Sequence, residues 1–340
     1  MRALVYHGPE TMSIENWEMP TPKAGEVRVK TSFVGICGSD VHGWLGITGR
    51  RTAPMVMGHE LSGTISAIGE GVTGLNIGDR VTVLPLFYCG ECDYCNEGLD
   101  NICPNREFMG AMSCNGALLD EFCVSAKNIC KLPENISLEV GALIEPFAVA
   151  YRGVLHAGSV AGKTVMICGA GTIGLMALKV CKMLGAKTIV MVDLSNDRLA
   201  LAMQHGADVT INGADDIDAA LKAAGLRNSI DVAIEAVGVT PTVQQSVTYV
   251  KNHGQVVWIG NSAPTVSLNM QTVVTREINI QGSYIYTHQD FLDCIRLLSE
   301  KPQNFDGIIS GVVSLEEAEP MFRELSQGAG SKIKILVKLQ

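Results

Sequence analysis

Polar and apolar positions follow one rhythm in the first third of the chain and another in the middle. Residues 3–6, 26–30, 63–68, 80–84, 121–124 and 128–132 form short runs, several alternating at period two, set apart by Pro20 and Pro22, Gly69 and Gly71, and Gly78. Alternation at period two is the mark of a strand with one buried face, and short strands with frequent turns predict a partly open β-barrel. From Ser137 the texture changes. Residues 138–150 read as a helix interrupted at Pro146, because proline cannot continue an α-helical hydrogen-bond ladder. Strand-like runs at 163–168, 188–192, 209–211, 231–237, 255–259 and 277–281 then alternate with helical runs beginning at residues 175, 198, 217 and 242. Such alternation predicts a parallel, doubly wound α/β sheet. A helix over residues 289–299 and a strand at 333–337 close the chain, and this mixed texture is expected to rejoin the first domain.

Length sharpens this picture to two domains, since 340 residues exceed one ordinary core. The expected division is a β-rich domain over 1–150, a doubly wound domain over 151–287, and a return to the first domain over 288–340. With 47% hydrophobic and 18% charged residues the composition is globular. A net charge of −9 with no basic stripe argues against a nucleic-acid or anionic-membrane partner and favours a small molecule. The first ten residues lack the apolar core of a signal peptide, and the apolar run 164–178 is short of the ~20 residues that span a bilayer. A cytoplasmic location is therefore expected.

Eleven cysteines add the first chemistry. Cys89, Cys92, Cys95 and, seven residues on, Cys103 form one polar cluster in a lobe at about residues 88–104. Closely spaced thiolates suit tetrahedral zinc, and four of them leave no open position, so this zinc is expected to be structural. Cys114, Cys123, Cys130, Cys168, Cys181 and Cys294 lie among apolar neighbours and read as small buried side chains. A different donor set, Cys37 with His59 and Glu60, offers thiolate, imidazole and carboxylate, three ligands that suit a zinc keeping an open position. Glu145, a carboxylate in an otherwise apolar run, is either a buried acid with a basic partner or a neighbour of that metal.

The strand-like run ending at Cys168 leads into Gly169, Gly171 and Gly174, and a helix follows. In that context a G-x-G-x-x-G turn binds a dinucleotide: the glycines allow a tight turn and close approach of the pyrophosphate to the helix N-terminus. Asp193, nineteen residues beyond Gly174, ends the next strand. A carboxylate there accepts hydrogen bonds from the adenosine ribose and repels a 2′-phosphate, so NAD is expected over NADP.

Taken in order, these stretches resemble the zinc-dependent medium-chain dehydrogenases, in particular the sorbitol dehydrogenase-like polyol branch. The likeness runs through Gly35 to His42, Gly58 to Glu60, the four-cysteine lobe, Leu143 to Pro146, the glycine turn and Asp193. It implies a GroES-like catalytic domain, a Rossmann domain, one catalytic and one structural zinc, and a homodimer or homotetramer. It implies that Cys37, His59 and Glu60 ligate the catalytic zinc and that Glu145 holds its water or exchanges as a ligand. Ser39 and His42 then fall on a proton path, Ile173, Asp193, Arg198, Ile259 and Gly260 on cofactor contacts, and Tyr286 on the substrate. Gly43 stands where polyol enzymes often carry a tyrosine, and Ile285 where they often carry an arginine. The implied reaction is oxidation of a secondary alcohol of a polyol to the ketone, with hydride passing to NAD. The same zinc arrangement serves a sugar acid, a small vicinal diol or a 3-hydroxy amino acid. A non-enzymatic nucleotide-binding protein is the remaining alternative, and it has no reason to keep Cys37, His59, Glu60 and Glu145 together.

Overall fold

Strand Glu26–Gly35 is the one on which the first unit is assembled. Its first half alternates in burial and its last five residues are buried without interruption, because strands flank it on both sides. It pairs antiparallel with Glu60–Ile68 and Glu121–Ser125 and, at its carboxyl end, with Lys334–Lys338. The sheet continues through Arg80–Val83 to Ile129–Lys131 in one direction and through Ile309–Ser314 in the other, that last strand running parallel to Lys334–Lys338. A smaller antiparallel sheet holds Thr11–Asn16, Arg2–Gly8 and Met55–Val56. One core joins the two sheets, with Leu4, Val5, Val29, Val34, Leu61, Ile65 and Val337 at 1% exposure or less.

The computed structural model describes residues 1–112, 114–328 and 330–339. The chain divides into two units, Met1–Glu145 with Thr287–Gln340, and Pro146–Tyr286. The second unit is a six-stranded parallel sheet in the order Val209–Asn212, Thr188–Asp193, Thr164–Cys168, Ile230–Glu235, Val250–Trp258, Asn279–Gly282. The chain therefore winds outward one way from Thr164–Cys168, then crosses to its other side. That reversal is the switch point at which doubly wound sheets bind ligands, off the carboxyl ends of their strands.

Three sequence expectations need correction. Pro146 does not interrupt the helix: the break falls at Leu143, between Leu138–Ala142 and Ile144–His156. Pro146 is the third residue of the second helix, in the first turn, where an amide donor has no intrahelical acceptor to lose. Strand Val250–Trp258 starts five residues before the apolar run that suggested it, since Val250 already pairs with Ile230, and regular pairing resumes at Gln255 only after an irregularity over residues 251–254. The C-terminal stretch holds a helix the pattern hid, Leu315–Ser326, in which Pro320 disguises the buried stripe Leu315, Ala318 and Phe322. Among the described residues no helix is long and apolar enough to cross a membrane.

Candidate active site

The pairing of Glu26–Gly35 with Glu60–Ile68 sets Gly35 opposite Glu60. A side chain at Gly35 would begin 2.0 Å from Glu60 Oε2, so the missing Cβ is what lets the Glu60 carboxylate fold over this strand end. Two residues past Gly35, Cys37 precedes the helix Gly38–Trp44. Register and turn together bring one donor atom each from Cys37, His59 and Glu60 within 4.8 Å of one another. Asp40 orients the imidazole: its Oδ1 lies 3.4 Å from His59 Nδ1, a long contact and the only polar one for that nitrogen among the described residues, and its Oδ2 accepts from the Cys37 amide at 3.4 Å. The ring also meets Phe108 edge-on, with centroids 5.4 Å apart.

Charges are balanced in pairs. Lys334 Nζ, 2% exposed at the side chain, donates to both Glu60 oxygens at 2.6 and 2.7 Å and to the Ile36 carbonyl at 3.0 Å. Burial opposes its charge, yet Glu60, with Cys37 and Glu145 beyond, holds its pKa above the ordinary lysine value. Asp40 is 0% exposed; burial raises its pKa, but His59 and Arg51 bring it down to about 2. For His59, burial again opposes the charged form, and Asp40 and the Cys37 sulfur hold its pKa well above normal. Lys334 was absent from the sequence reading, although a lysine inside the apolar run 333–337 was its signal. Asp40 and Arg51 were missed although only 11 residues separate them, because no local pattern marks the two as a pair.

Glu145 lies outside the three-donor cluster, buried at 5% exposure near enough for Lys334 to sense its charge. Ser39 Oγ donates to Cys37 Sγ at 3.4 Å, and His42, half-buried, sits one turn along the same helix. Tyr286 is fully buried at 0% exposure and ends the second unit.

Around Cys89, Cys92, Cys95 and Cys103 the sulfur separations are 3.5, 3.6, 3.9 and 3.9 Å. A tetrahedron with Zn–S of about 2.3 Å has edges of about 3.8 Å, so this cluster fits a closed zinc site. Backbone amides of Glu91 and Cys92 lower the Cys89 pKa, whereas burial raises that of its neighbour Cys95. The three unlike donors of the other cluster fit zinc as well, one ligand short of a tetrahedron. Of the six scattered cysteines, four are buried, and burial pushes the Cys130 and Cys181 thiols up to about 12; Cys114 and Cys123 are half-exposed, because each sits where a loop or sheet edge faces outward.

In the second unit each glycine of the turn has a separate use. Gly169 has φ +104°, a conformation few other residues adopt. A Cβ at Gly174 would lie 1.8 Å from the Gly169 carbonyl oxygen, whereas one at Gly171 would meet no atom within 4 Å. The surface over Gly171 is thus clear for a ligand, at the N-cap of helix Thr172–Met183. Ile173 lies in the first turn of that helix. Asp193 Oδ2 accepts from the Ala170 amide at 2.7 Å and Oδ1 from the Ser195 amide at 2.9 Å, tying the second strand end to the glycine turn. Arg198 lies in the first turn of helix Asn196–Gln204, and Ile259 and Gly260 both donate to the Glu235 carbonyl at the same sheet edge.

A parallel sheet built for a dinucleotide and a β unit built around two zinc-compatible clusters define a metal-dependent oxidoreductase. Residues 172–300 match the family model of the zinc-binding dehydrogenases, and residues 23–134 that of the alcohol dehydrogenase GroES-like domain. Sheep (Ovis aries) sorbitol dehydrogenase is 36% identical over 98% of this chain and 95% of its own length. A probable D-xylulose reductase A of Aspergillus fumigatus is 35% identical over 98% and 96%. A solved structure from Escherichia coli CFT073, described as a short chain alcohol dehydrogenase complexed with NADH, covers 100% of this chain and 99% of its own, with a TM-score of 0.92 at 30% identity. The chain belongs to the zinc-dependent medium-chain polyol dehydrogenases and is a zinc-containing alcohol dehydrogenase.

Proposed function

We propose that this enzyme oxidises a secondary alcohol of a polyol to the ketone and uses NAD rather than NADP. The observation that carries the reading is the convergence of Cys37, His59 and Glu60 within 4.8 Å, a donor set one short of a closed zinc site. When bound, zinc supplies the Lewis acidity that lowers the pKa of an alcohol, and the nicotinamide supplies the hydride acceptor. Cys37, His59 and Glu60 hold the metal, with Lys334 keeping the Glu60 carboxylate in place and Glu145 as a nearby acid. Ser39 and His42 carry the proton away from the alcohol. Asp193 accepts the ribose hydroxyls, and Gly169, Gly171, Ile173, Gly174, Arg198, Ile259 and Gly260 shape the cofactor's bed. A second reading, the same chemistry on a sugar acid, a small vicinal diol or a 3-hydroxy amino acid, is favoured by Gly43 and Ile285, which lack the side chains of polyol enzymes. Tyr286 is assigned to the substrate on the family resemblance. That resemblance also supports a homodimer or homotetramer, and the eleven unpaired thiols accord with a cytoplasmic location.

The test is NADH formation across a panel of sugar alcohols, sugar acids and diols, run beside metal analysis. About two zincs per chain, activity on a polyol and at least tenfold preference for NAD are expected. Zinc confined to the four-cysteine lobe, or a preference for NADP, would overturn the reading.

A further inference from the structure

Gly43 departs from the polyol pattern, and the structure shows what fills its place. A side chain there would begin 2.8 Å from Arg51 Cγ and 3.1 Å from Arg51 Nε. The Arg51 stem therefore lies against the bare backbone of helix Gly38–Trp44. Its side chain is 5% exposed, Nη2 donates to Asp40 Oδ1 at 2.8 Å, Nη1 donates to the Arg50 carbonyl at 3.3 Å, and Nε is buried with no hydrogen-bond partner among the described residues. The oxygen that takes the Arg51 donor is the one that faces His59 Nδ1. Three side chains thus stand in line, guanidinium, carboxylate and imidazole, and the same carboxylate also receives the Cys37 amide.

A buried carboxylate keeps a single orientation only when its charge is matched and its oxygens are occupied. Arg51 does both at Asp40, and its charge is permanent. With Asp40 held, His59 presents Nδ1 to the carboxylate, which fixes the ring within the three-donor cluster. Groups behind metal ligands in this way fix the tautomer and ring orientation, and losing them costs 10–100-fold in metal affinity or activity.

We infer that Arg51 is a positioning residue of the catalytic zinc site, acting through Asp40 on His59 and Cys37, and that Gly43 is glycine so that Arg51 can enter. The inference rests on the reading that Cys37, His59 and Glu60 hold the metal.

The experiment uses the full-length zinc enzyme, dialysed against a graded chelator, with zinc counted per chain and the cobalt(II)-substituted enzyme followed by its visible thiolate bands. Wild type is expected to hold two zincs of unequal lability, and Cys37→Ser to lack the labile one. Arg51→Met should then weaken the labile zinc about 10–100-fold, shift the cobalt bands and leave the four-cysteine zinc in place. Arg51→Lys should recover part of the loss. Gly43→Ala should reproduce Arg51→Met by displacing the guanidinium, and the double variant should be no worse than Arg51→Met alone. Should Arg51→Met unfold, Gly43→Ala and Arg51→Lys carry the same comparison. Unchanged zinc affinity and cobalt bands in these variants overturn the inference, including the case in which KM alone rises and Arg51 proves a substrate contact. A lower Tm with unaltered zinc affinity overturns it too, as a merely structural role. Wild type with zinc in the four-cysteine lobe alone sinks the underlying reading first, and is told apart by the Cys37→Ser control.

Discussion

Asp193 shows how one side chain serves two ends. Its carboxylate holds the Ala170 and Ser195 amides and, on our reading, the ribose hydroxyls. Asp193→Ser is expected to lower kcat/KM for NAD at least tenfold while NADP gains relative to it, checked by initial rates with both cofactors. Lys179 offers a different test. Burial lowers its pKa from 10.5 to about 8, so between those values the unfolded chain binds more protons than the folded one and stability rises with pH. Below about 8 both states carry the charge and the cost of burying it is fully present. Lys179→Met should therefore be favoured over wild type most below pH 8, with the difference shrinking as pH rises toward 10.5. The readout is the Tm difference across that range, against the constant offset from losing the His205 contact at 3.1 Å. The donors Cys37, His59 and Glu60 were legible as residue types, but their balancing partners Asp40, Arg51 and Lys334 were not. Pairing across 274 positions, as for Lys334 and Glu60, leaves no local signature.

At the scale of elements, two short segments carry stringent geometry. Gly174→Ala would push a methyl group into the Gly169 carbonyl at 1.8 Å; a backbone atom cannot yield as a flexible side chain can. The variant is expected to lose NAD binding, measured by fluorescence titration, and to lower the Tm, whereas Gly171→Ala, with no atom within 4 Å, should fold normally and still bind NAD more weakly. In the four-cysteine lobe, Cys92→Ser should release one zinc and reduce thermal stability, with the labile zinc retained on metal analysis. Most element types in the second unit were legible because strands such as Thr164–Cys168 and Thr188–Asp193 are near-continuous apolar runs between helical periods, whereas the short helix Met270–Thr275 left no such pattern. Helix Leu315–Ser326 was not, since Pro320 stands within its pattern.

For the whole molecule, the last strand matters more than its position suggests. Lys334–Lys338 inserts between Glu26–Gly35 and Ile309–Ser314, and Ile335, Leu336 and Val337 are at most 2% exposed. Removing residues 334–340 takes away that strand, its share of the first core and the counter-ion of Glu60. The expected outcome is loss of the labile zinc and of cooperative unfolding in the first unit, read by metal analysis and calorimetry. A truncated chain that kept both would show the closing strand to be dispensable.

What the sequence determined by itself was local: most strand and helix periods, the glycine turn, the cysteine spacing and the donor types of a metal site. Backbone conformation and short-range ligand spacing are set within a few residues, so they leave a readable pattern. What only the tertiary structure decided was which groups neutralise one another. Lys334 on Glu60 and Arg51 on Asp40 are set by strand register and by the space a missing Cβ leaves at Gly35 and Gly43. Buried charges find their partners through space, and that choice exists only once the chain has folded.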